Sequence, residues 1–114
     1  MGIEERYERG LALKQEGQYE EAETEFRAVL ELDSEHAEAY RQLGLIFGFT
    51  GLFDEAIEAL LTAVRLDALN IGARNDLALT YCMLGMSDEA KAEFELVLSL
   101  DPDNDVAKKN MIYF

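Results

Sequence analysis

Six columns of identical residues recur in this chain at one constant spacing, without a gap, over three consecutive copies. The copies span residues 3–36, 37–70 and 71–104, and residues 105–114 follow them. The six columns are Leu11/Leu45/Leu79, Gly17/Gly51/Gly85, Glu21/Glu55/Glu89, Ala22/Ala56/Ala90, Leu32/Leu66/Leu100 and Asp33/Asp67/Asp101. A unit of this length cannot bury an apolar face alone, so neighbouring units must stack and bury one another's faces. The sequence therefore predicts one domain built as a linear stack of three units.

Each copy has the pattern of two helices joined by a glycine turn. In the second copy Tyr40, Leu43 and Phe47 recur three to four residues apart, which is the spacing of one helical face. Gly51 follows where a helix end favours positive φ, and Asp54 places an acid in the first turn of a new helix. The pattern predicts helices at 3–16, 19–32, 37–50, 53–66, 71–84 and 87–100, with a short seventh helix at 106–114.

The connections between copies contain helix-capping residues. Asp101-Pro102 matches an N-cap followed by proline at the first helical position, and Ser34 offers a similar cap to a helix that starts near Ala37. The single histidine, His36, lies in the same connection. We interpret it as a solvated turn residue, because no partner residues for catalysis lie near it in the sequence.

The spacing and the residue types resemble the tetratricopeptide repeat, whose period is about 34 residues. The second copy matches the family's signature columns best, through Tyr40, Leu43, Gly44, Phe47, Ala56, Leu60 and Ala63. The first copy departs from the signature at Arg6 and Arg9, which suits an exposed end of the stack, and the third departs at Arg74. The resemblance implies an all-α solenoid of three helix-turn-helix repeats plus a short C-terminal helix, wound as a right-handed superhelix with a concave groove.

In this family the first helix of each pair lines the concave groove. The resemblance implies that a partner would contact Tyr7, Leu11, Lys14, Arg41, Gln42, Leu45, Phe49, Asn75, Asp76, Leu79 and Met83. Leu11, Leu45 and Leu79 would form an apolar line, flanked by Phe49 and Met83, and such a line is typical of a contact site. The alternative is that Leu45 and Leu79 fill space between adjacent first helices. We therefore expect a non-enzymatic adaptor, scaffold or chaperone-like protein whose partner is a protein or peptide with apolar anchors.

One subclass of the family grips a C-terminal carboxylate with Lys, Arg and Asn side chains. The matching positions in this chain hold Tyr7, Leu11, Gln42, Gly72 and Asp76. None of these is a cation, and Asp76 would repel a carboxylate. The sequence therefore argues against that mode of binding.

The chain has a net charge of −14, which is distributed unevenly within each copy. The first halves of the three copies carry net charges of −1, 0 and 0, whereas the second halves carry −6, −3 and −5. This balance excludes nucleic acid as a partner, because phosphate binding requires a basic surface. We interpret the acidity as a solvated, self-repelling outer surface, and a basic partner on the convex side is the weaker alternative.

The chain lacks the residues that a metal site, a phosphate-binding loop or a disulfide would need. Cys82 is the only cysteine, no Cys/His cluster has metal-ligand spacing, and no glycine-rich phosphate loop is present. We therefore expect no enzymatic activity and no metal or cofactor. No apolar run is long enough to span a membrane, and the charged N-terminus is unlike a signal peptide, so we expect a cytoplasmic location.

Residues 105–114 have two interpretations. They form a helix that caps the third copy, or they begin a fourth copy of a longer array. The terminal Ile112, Tyr113 and Phe114 are more apolar than a cap requires. Self-association through these three residues, in a structural unit that stacks end to end as a homo-oligomer, is therefore the alternative function.

Overall fold

The computed structural model describes residues 1–114 and contains seven α-helices and no strands. The helices are α1 (Ile3–Gln15), α2 (Tyr19–Leu32), α3 (Ala37–Phe49), α4 (Phe53–Leu66), α5 (Ile71–Met83), α6 (Ser87–Leu100) and α7 (Asp105–Met111). The six long helices are confirmed to within one residue at each end. The seventh begins one residue earlier than predicted and ends at Met111, so Ile112 and Tyr113 form a turn instead of the helix predicted there.

The helices form three hairpins, which we number 1 (α1 and α2), 2 (α3 and α4) and 3 (α5 and α6). The middle first helix, α3, contacts both α1 and α5, whereas α2, α4 and α6 make no comparable contacts with one another. The second helices are therefore splayed apart, and the first helices lie together on the opposite side. The resulting molecule is elongated, at 44 × 26 × 21 Å, which confirms the predicted all-α solenoid.

Glycine ends the first helix of each hairpin. Gly17, Gly51 and Gly85 have φ angles of +80°, +81° and +73°, which side chains with a Cβ rarely adopt. In hairpin 1 the N–H of Gln18 donates to the carbonyl of Leu13 at 2.9 Å, and the equivalent bonds in hairpins 2 and 3 are 2.8 and 2.9 Å long. These bonds are those of the Schellman motif, which satisfies carbonyls at a helix end. The glycine column predicted from sequence thus reverses the chain in all three hairpins.

Two other glycines allow the helices of a hairpin to approach closely. A Cβ at Gly10 would lie 2.7 Å from the ring of Phe26, and a Cβ at Gly44 would lie 2.6 Å from Cγ of Leu60. Contacts this short would force the helices apart. Phe26 and Leu60 are fully buried beneath these glycines, so the small residues in this column are structural.

The core is divided into three clusters along the stack. The first joins hairpins 1 and 2 and contains Ala22, Phe26, Leu43, Ile46, Phe47, Ala56 and Ala59. The second joins hairpins 2 and 3 and contains Leu60, Ala63, Val64, Ala73, Leu77, Tyr81 and Ala90. The third joins hairpin 3 to α7 and contains Ala78, Phe94, Val97 and Ala107. Each hairpin is therefore covered by its neighbour, as a repeat too short to bury its own apolar face requires.

The caps between hairpins differ from the prediction. The N-caps of α3, α5 and α7 are His36, Asn70 and Asn104, whose side chains each accept a hydrogen bond at 3.0 Å from the backbone N–H three residues later. Ser34 and Asp101-Pro102 lie before these caps, outside the helices. His36 is therefore a capping residue and not a freely solvated one.

A backbone turn explains the shift in the caps. The carbonyl of Asp33 accepts a hydrogen bond from the N–H of His36 at 3.3 Å, and the carbonyl of Asp101 accepts one from the N–H of Asn104 at 3.0 Å. Each turn contains the aspartate and the three residues after it. The helix α7 therefore begins at Asp105, three residues later than an N-cap at Asp101 would place it. The cap positions recur once in every copy and form a column of chemically similar, but not identical, residues.

Candidate functional site

The eleven residues predicted to contact a partner all lie on α1, α3 and α5. We call the side of these three helices that is turned away from the second helices the first-helix face. Residues one repeat apart occupy equivalent positions on neighbouring helices, so Phe49 and Met83 lie side by side at the C-terminal ends of α3 and α5. Leu79 lies one helical turn before Met83. The repeat geometry therefore places Leu79 and Met83 together on α5, with Phe49 at the equivalent end of the neighbouring helix α3.

These three side chains are exposed to solvent. Met83 is 64% exposed, Phe49 is 59% exposed and Leu79 is 36% exposed. The Phe49 ring also lies 5.6 Å from the ring of Tyr19, which holds it at the edge of hairpin 1. We call Phe49, Leu79 and Met83 the apolar patch. Adjacent exposed apolar side chains of this kind are typical of a protein contact surface.

The predicted line of three leucines is not uniformly exposed. Leu11 is half-buried and packs against the first core cluster, and Leu45 is also half-buried. Of the three leucines, only Leu79 is exposed. Leu11 therefore fills space beside the first core cluster, although the space-filling alternative named Leu45 and Leu79. The accessible apolar surface lies on α5 and at the end of α3.

Arg41 occupies the middle of the first-helix face and is paired inside the molecule. Its Nε atom lies 2.7 Å from Oδ2 of Asp76, and its Nη1 atom lies 3.7 Å from Oε2 of Glu38. A Cβ at Gly72 would lie 2.6 Å from the guanidinium carbon of Arg41, so the missing side chain of Gly72 provides the space for Arg41. Of the two positions on α5 that match the carboxylate-gripping subclass, Asp76 thus forms an internal ion pair with Arg41, and Gly72 leaves room for it.

The charges around Arg41 change its pKa. Burial alone would lower the pKa of Arg41, but the hydrogen bond and charge of Asp76, together with Glu38 and Tyr7, raise it above its ordinary value. The guanidinium is therefore charged under all ordinary conditions and is already neutralised by its neighbours. It offers a ligand little uncompensated positive charge.

Lys14, the other cation on this face, is also occupied. Its ammonium group donates a hydrogen bond to Oε1 of Gln42 on the neighbouring helix. Burial lowers the pKa of Lys14, the charge of Arg41 acts in the same direction, and Asp76 and Glu38 partly oppose them. A partner that needed this cation would have to break the bond to Gln42.

Tyr7 is half-buried between hairpins 1 and 2. Its ring lies 5.7 Å from the ring of Phe26 and 5.3 Å from the ring of His36. Burial raises the pKa of the Tyr7 phenol, and the charge of Glu38 raises it further. Tyr7 therefore contributes mainly to the contact between the hairpins.

Gln42 and Asn75 are buried, although they were predicted to offer polar contacts to a partner. Gln42 accepts from Lys14 on α1, and Nδ2 of Asn75 donates to Oδ1 of Asn104, the N-cap of α7, at 3.1 Å. Both amides point sideways toward a neighbouring helix, Gln42 toward the preceding α1 and Asn75 toward the start of the following α7. This corrects the expectation of free polar groups at these two positions.

Arg74, which departs from the repeat signature, has a structural partner. Its Nη1 atom lies 3.0 Å from Oε2 of Glu93 on α6, and its Nε donates to the carbonyl of Ala68 at 2.8 Å. The side chain is only 13% exposed. Arg74 therefore joins the two helices of hairpin 3 to the end of hairpin 2.

The three apolar residues at the C-terminus fall into two groups. The Phe114 ring packs near the buried ring of Phe94, with 6.3 Å between the ring centres. Ile112 and Tyr113 are 76% and 79% exposed. Of the residues predicted to self-associate, only these two therefore present most of their surface to solvent.

Two features of the first helices were not predicted from the sequence. The first is the column of capping residues, which are His36, Asn70 and Asn104. Each is a polar residue directly before a helix, but the three are not identical, so the column does not appear among the columns of identical residues. The pair of Arg41 and Asp76 joins residues 35 apart, which a search within one copy does not compare.

The structure contains no cluster of three or more potential metal ligands. None of its helices combines the length and the hydropathy that a membrane crossing needs. Cys82 is largely exposed and has no cysteine partner. Partial desolvation by the surrounding protein raises the pKa of its thiol, which disfavours the reactive thiolate.

Comparison with known families identifies the repeats. Residues 7–71 and residues 71–104 each match the sequence profile described as tetratricopeptide repeat. The chain belongs to the tetratricopeptide repeat family. Members of this family are protein-interaction modules and are generally non-enzymatic, so this chain is a protein-interaction module. A comparison with curated proteins finds no significant match.

Solved tetratricopeptide structures have the same fold. The tetratricopeptide domain of Arabidopsis OM64 is 25% identical, with a TM-score of 0.87, over 93% of this chain and 88% of that domain. The second such domain of human RPAP3, in complex with the HSP70 peptide SGPTIEEVD, is 26% identical, with a TM-score of 0.85, over 95% and 93%. The first such domain of Spaghetti (RPAP3), bound to the HSP90 peptide SRMEEVD, is 22% identical, with a TM-score of 0.92, over 97% and 88%. The last comparison supports the fold alone.

Proposed function

We propose that this tetratricopeptide protein is a non-enzymatic adaptor or scaffold that binds an apolar-anchored peptide or helix in the concave groove along its first-helix face. The observation that carries the proposal is the apolar patch, in which Phe49, Leu79 and Met83 lie on the neighbouring helices α3 and α5 and are exposed. Three such side chains on neighbouring rigid helices form a preorganised surface for apolar anchors.

The charges on this face favour a weakly charged ligand. Arg41 is neutralised by Asp76 and Glu38, and Lys14 is bonded to Gln42. A ligand carboxylate would therefore meet cations that are already paired, next to a carboxylate that repels it. The RPAP3 domains are bound to the acidic peptides SGPTIEEVD and SRMEEVD, and we propose a different kind of ligand here.

The geometry of the patch indicates the spacing of the anchors. Neighbouring packed helices have axes about 8–10 Å apart, which sets the approximate separation of Phe49 from Met83. Two side chains seven residues apart lie on one face of a ligand helix and are about 10 Å apart along it, because the helix has about 3.6 residues per turn and rises about 1.5 Å per residue. An amphipathic helix with anchors at this spacing matches the patch.

A capture experiment tests this proposal. The parent chain, a Leu79→Glu/Met83→Glu variant and a Leu61→Glu/Leu96→Glu control are used to retain proteins from a lysate of the source organism. The control adds the same charge at exposed leucines on α4 and α6, away from the first-helix face. We expect a partner that the parent and the control retain and that the Leu79→Glu/Met83→Glu variant loses.

Circular dichroism must first show that both variants unfold at temperatures close to that of the parent. If all three chains capture the same proteins equally, the apolar patch is not the binding site. If both variants lose the partner equally, added negative charge is sufficient to explain the loss.

We propose self-association as a second candidate function, because Ile112 and Tyr113 are highly exposed at the end of the stack. Sedimentation measurements over a range of concentrations test it against an Ile112→Ser/Tyr113→Ser variant. A dimer of the parent that this variant does not form would support the candidate. A monomer at every concentration would rule it out.

A further inference from the structure

A second surface lies on the outer side of the molecule, opposite the first-helix face. A cavity of about 520 Å³ opens between α2 and α4 and has α3 as its floor. Its floor includes Tyr40, Leu43 and Phe47, and its rim includes Glu31, Glu55 and Glu58. We call this the outer cavity. Its volume lies in the usual range for a ligand site, and it combines an apolar floor with an acidic rim.

The negative charges of the rim are not neutralised within the molecule. Glu31, Glu55 and Glu58 take part in none of the ion pairs of the structure. The only cation at the cavity, Arg27, is paired with Glu23 at 2.7 Å and lies 6.0 Å above the ring of Phe47. Three unpaired carboxylates beside an apolar floor are complementary to a cation on an aliphatic stem.

The next pair of hairpins shows such a cation in the equivalent place. Arg74 occupies the position on α5 that Tyr40 occupies on α3, and Glu93 occupies the position on α6 that Ala59 occupies on α4. Arg74 is mostly buried there and is bonded to Glu93. This position of the repeat can therefore hold a mostly buried guanidinium group when a carboxylate is beside it.

We infer that the outer cavity binds an arginine side chain presented by a partner protein, together with a neighbouring apolar side chain. The guanidinium would lie at Glu55 and Glu58, which are three residues apart on one face of α4. The stem and the apolar neighbour would lie over Leu30 and Tyr40, the half-buried apolar side chains of the lining, since Leu43 and Phe47 are buried. Arginine suits the site better than lysine, because its planar group pairs with carboxylates through two bonds, stacks on rings and is more weakly hydrated.

A defined pair of peptides tests the inference without a natural partner. The probe is acetyl-Ala-Leu-Arg-Ala-Leu-amide, and the control peptide carries the neutral isostere citrulline in place of arginine. Both are titrated into the ¹⁵N-labelled full chain while backbone resonances are followed by NMR. We expect the arginine peptide to shift resonances of α2 and α4 around the cavity and to bind about tenfold more tightly than the citrulline peptide.

Two protein variants locate the interaction. Glu55→Gln/Glu58→Gln should weaken binding of the arginine peptide about tenfold, because the charge-assisted bonds are lost. The matched control, Glu89→Gln/Glu95→Gln, removes the same charge from exposed positions on α6 and should change the affinity less than about twofold. A third variant, Tyr40→Arg/Ala59→Glu, copies the Arg74–Glu93 pair into the cavity and should abolish binding.

The remaining outcomes contradict the inference. Equal affinity for the two peptides, or no shift at any peptide concentration, would show that no guanidinium is recognised. An equal loss in the Glu89→Gln/Glu95→Gln control would show only general attraction to an acidic protein. Shifts confined to α1 and α5 would place the peptide on the first-helix face. If the third variant does not fold, the comparison of the two glutamine variants decides the result.

Discussion

The junction between hairpins 1 and 2 and the junction between hairpins 2 and 3 share the same repeat columns, but different side chains cross them. At the first junction, beside the hydrogen bond from Lys14 to Gln42, rings pair across the boundary. Tyr7 and His36 lie 5.3 Å apart, and Tyr19 and Phe49 lie 5.6 Å apart. At the second, the ion pair of Arg41 with Asp76 crosses between α3 and α5.

The polar character of the second junction extends beyond that ion pair. Nδ2 of Asn70, the N-cap of α5, donates to Oε1 of Glu38 on α3. Both junctions also bury an apolar cluster, which sets the distance between the hairpins. The repeated columns therefore determine the backbone arrangement. The variable positions determine how each junction responds to salt and pH.

The largest expected effect is at the first junction. Phe47 is buried in the first core cluster, and Phe47→Ala should lower the free energy of unfolding by about 3–5 kcal/mol. Removal of a buried ring leaves a cavity, so the loss should be similar at low and at high salt. The control is Phe49→Ala, two residues later on the exposed side, which should cost less than about 1 kcal/mol. Urea unfolding followed by circular dichroism measures both losses, and equal losses would contradict the apolar account of this junction.

A smaller effect, which should depend on salt, is expected at the second junction. A double-mutant cycle of Arg41→Met and Asp76→Asn should give a coupling of about 1 kcal/mol, because both side chains are mostly shielded from solvent. The coupling should decrease as sodium chloride rises from about 0.05 M to about 1 M, since salt screens the pair.

The exposed pair of Arg27 and Glu23 within α2 is the control for this cycle. A cycle of Arg27→Met and Glu23→Gln should give a coupling of only about 0.3–0.5 kcal/mol. If the two cycles give the same coupling, or if salt does not change the first, the ion pair does not distinguish the second junction from the first.

The repeat columns were sufficient to predict the hairpins from sequence. A glycine at positive φ and an apolar stripe are local requirements, so Gly51 and the Tyr40-to-Phe47 pattern indicated where α3 lies and where it ends. The helix bounds, the turn glycines and the small residues at the close approach followed directly from these local rules.

The contacts across the junctions could not be predicted in the same way. Gln42 and Asn75 lie on the first helices, but whether such a side chain faces solvent or the next helix depends on how neighbouring hairpins are rotated relative to each other. The position of Arg41 depends on the missing side chain of Gly72 in the following copy. Both are consequences of stacking, which no single copy contains.

The smallest expected effect tests the environment of Tyr7 at the first junction. Burial raises the pKa of the Tyr7 phenol in the folded chain, and the charge of Glu38 adds to this. The unfolded chain therefore loses the proton first, near the ordinary tyrosine pKa of about 10. The stability that the neutral phenol contributes is present below that pH and is lost as the pH rises through the higher folded pKa.

Tyr7→Phe has no proton to lose, so its free energy of unfolding should fall less steeply than that of the parent between about pH 9 and about pH 11. The free energy of unfolding of Tyr7→Phe should therefore increase relative to that of the parent as the pH rises. Urea unfolding at each pH gives the two curves. Parallel curves for Tyr7→Phe and the parent would mean that the phenol is not shielded at the first junction, and its place among the rings there would have to be revised.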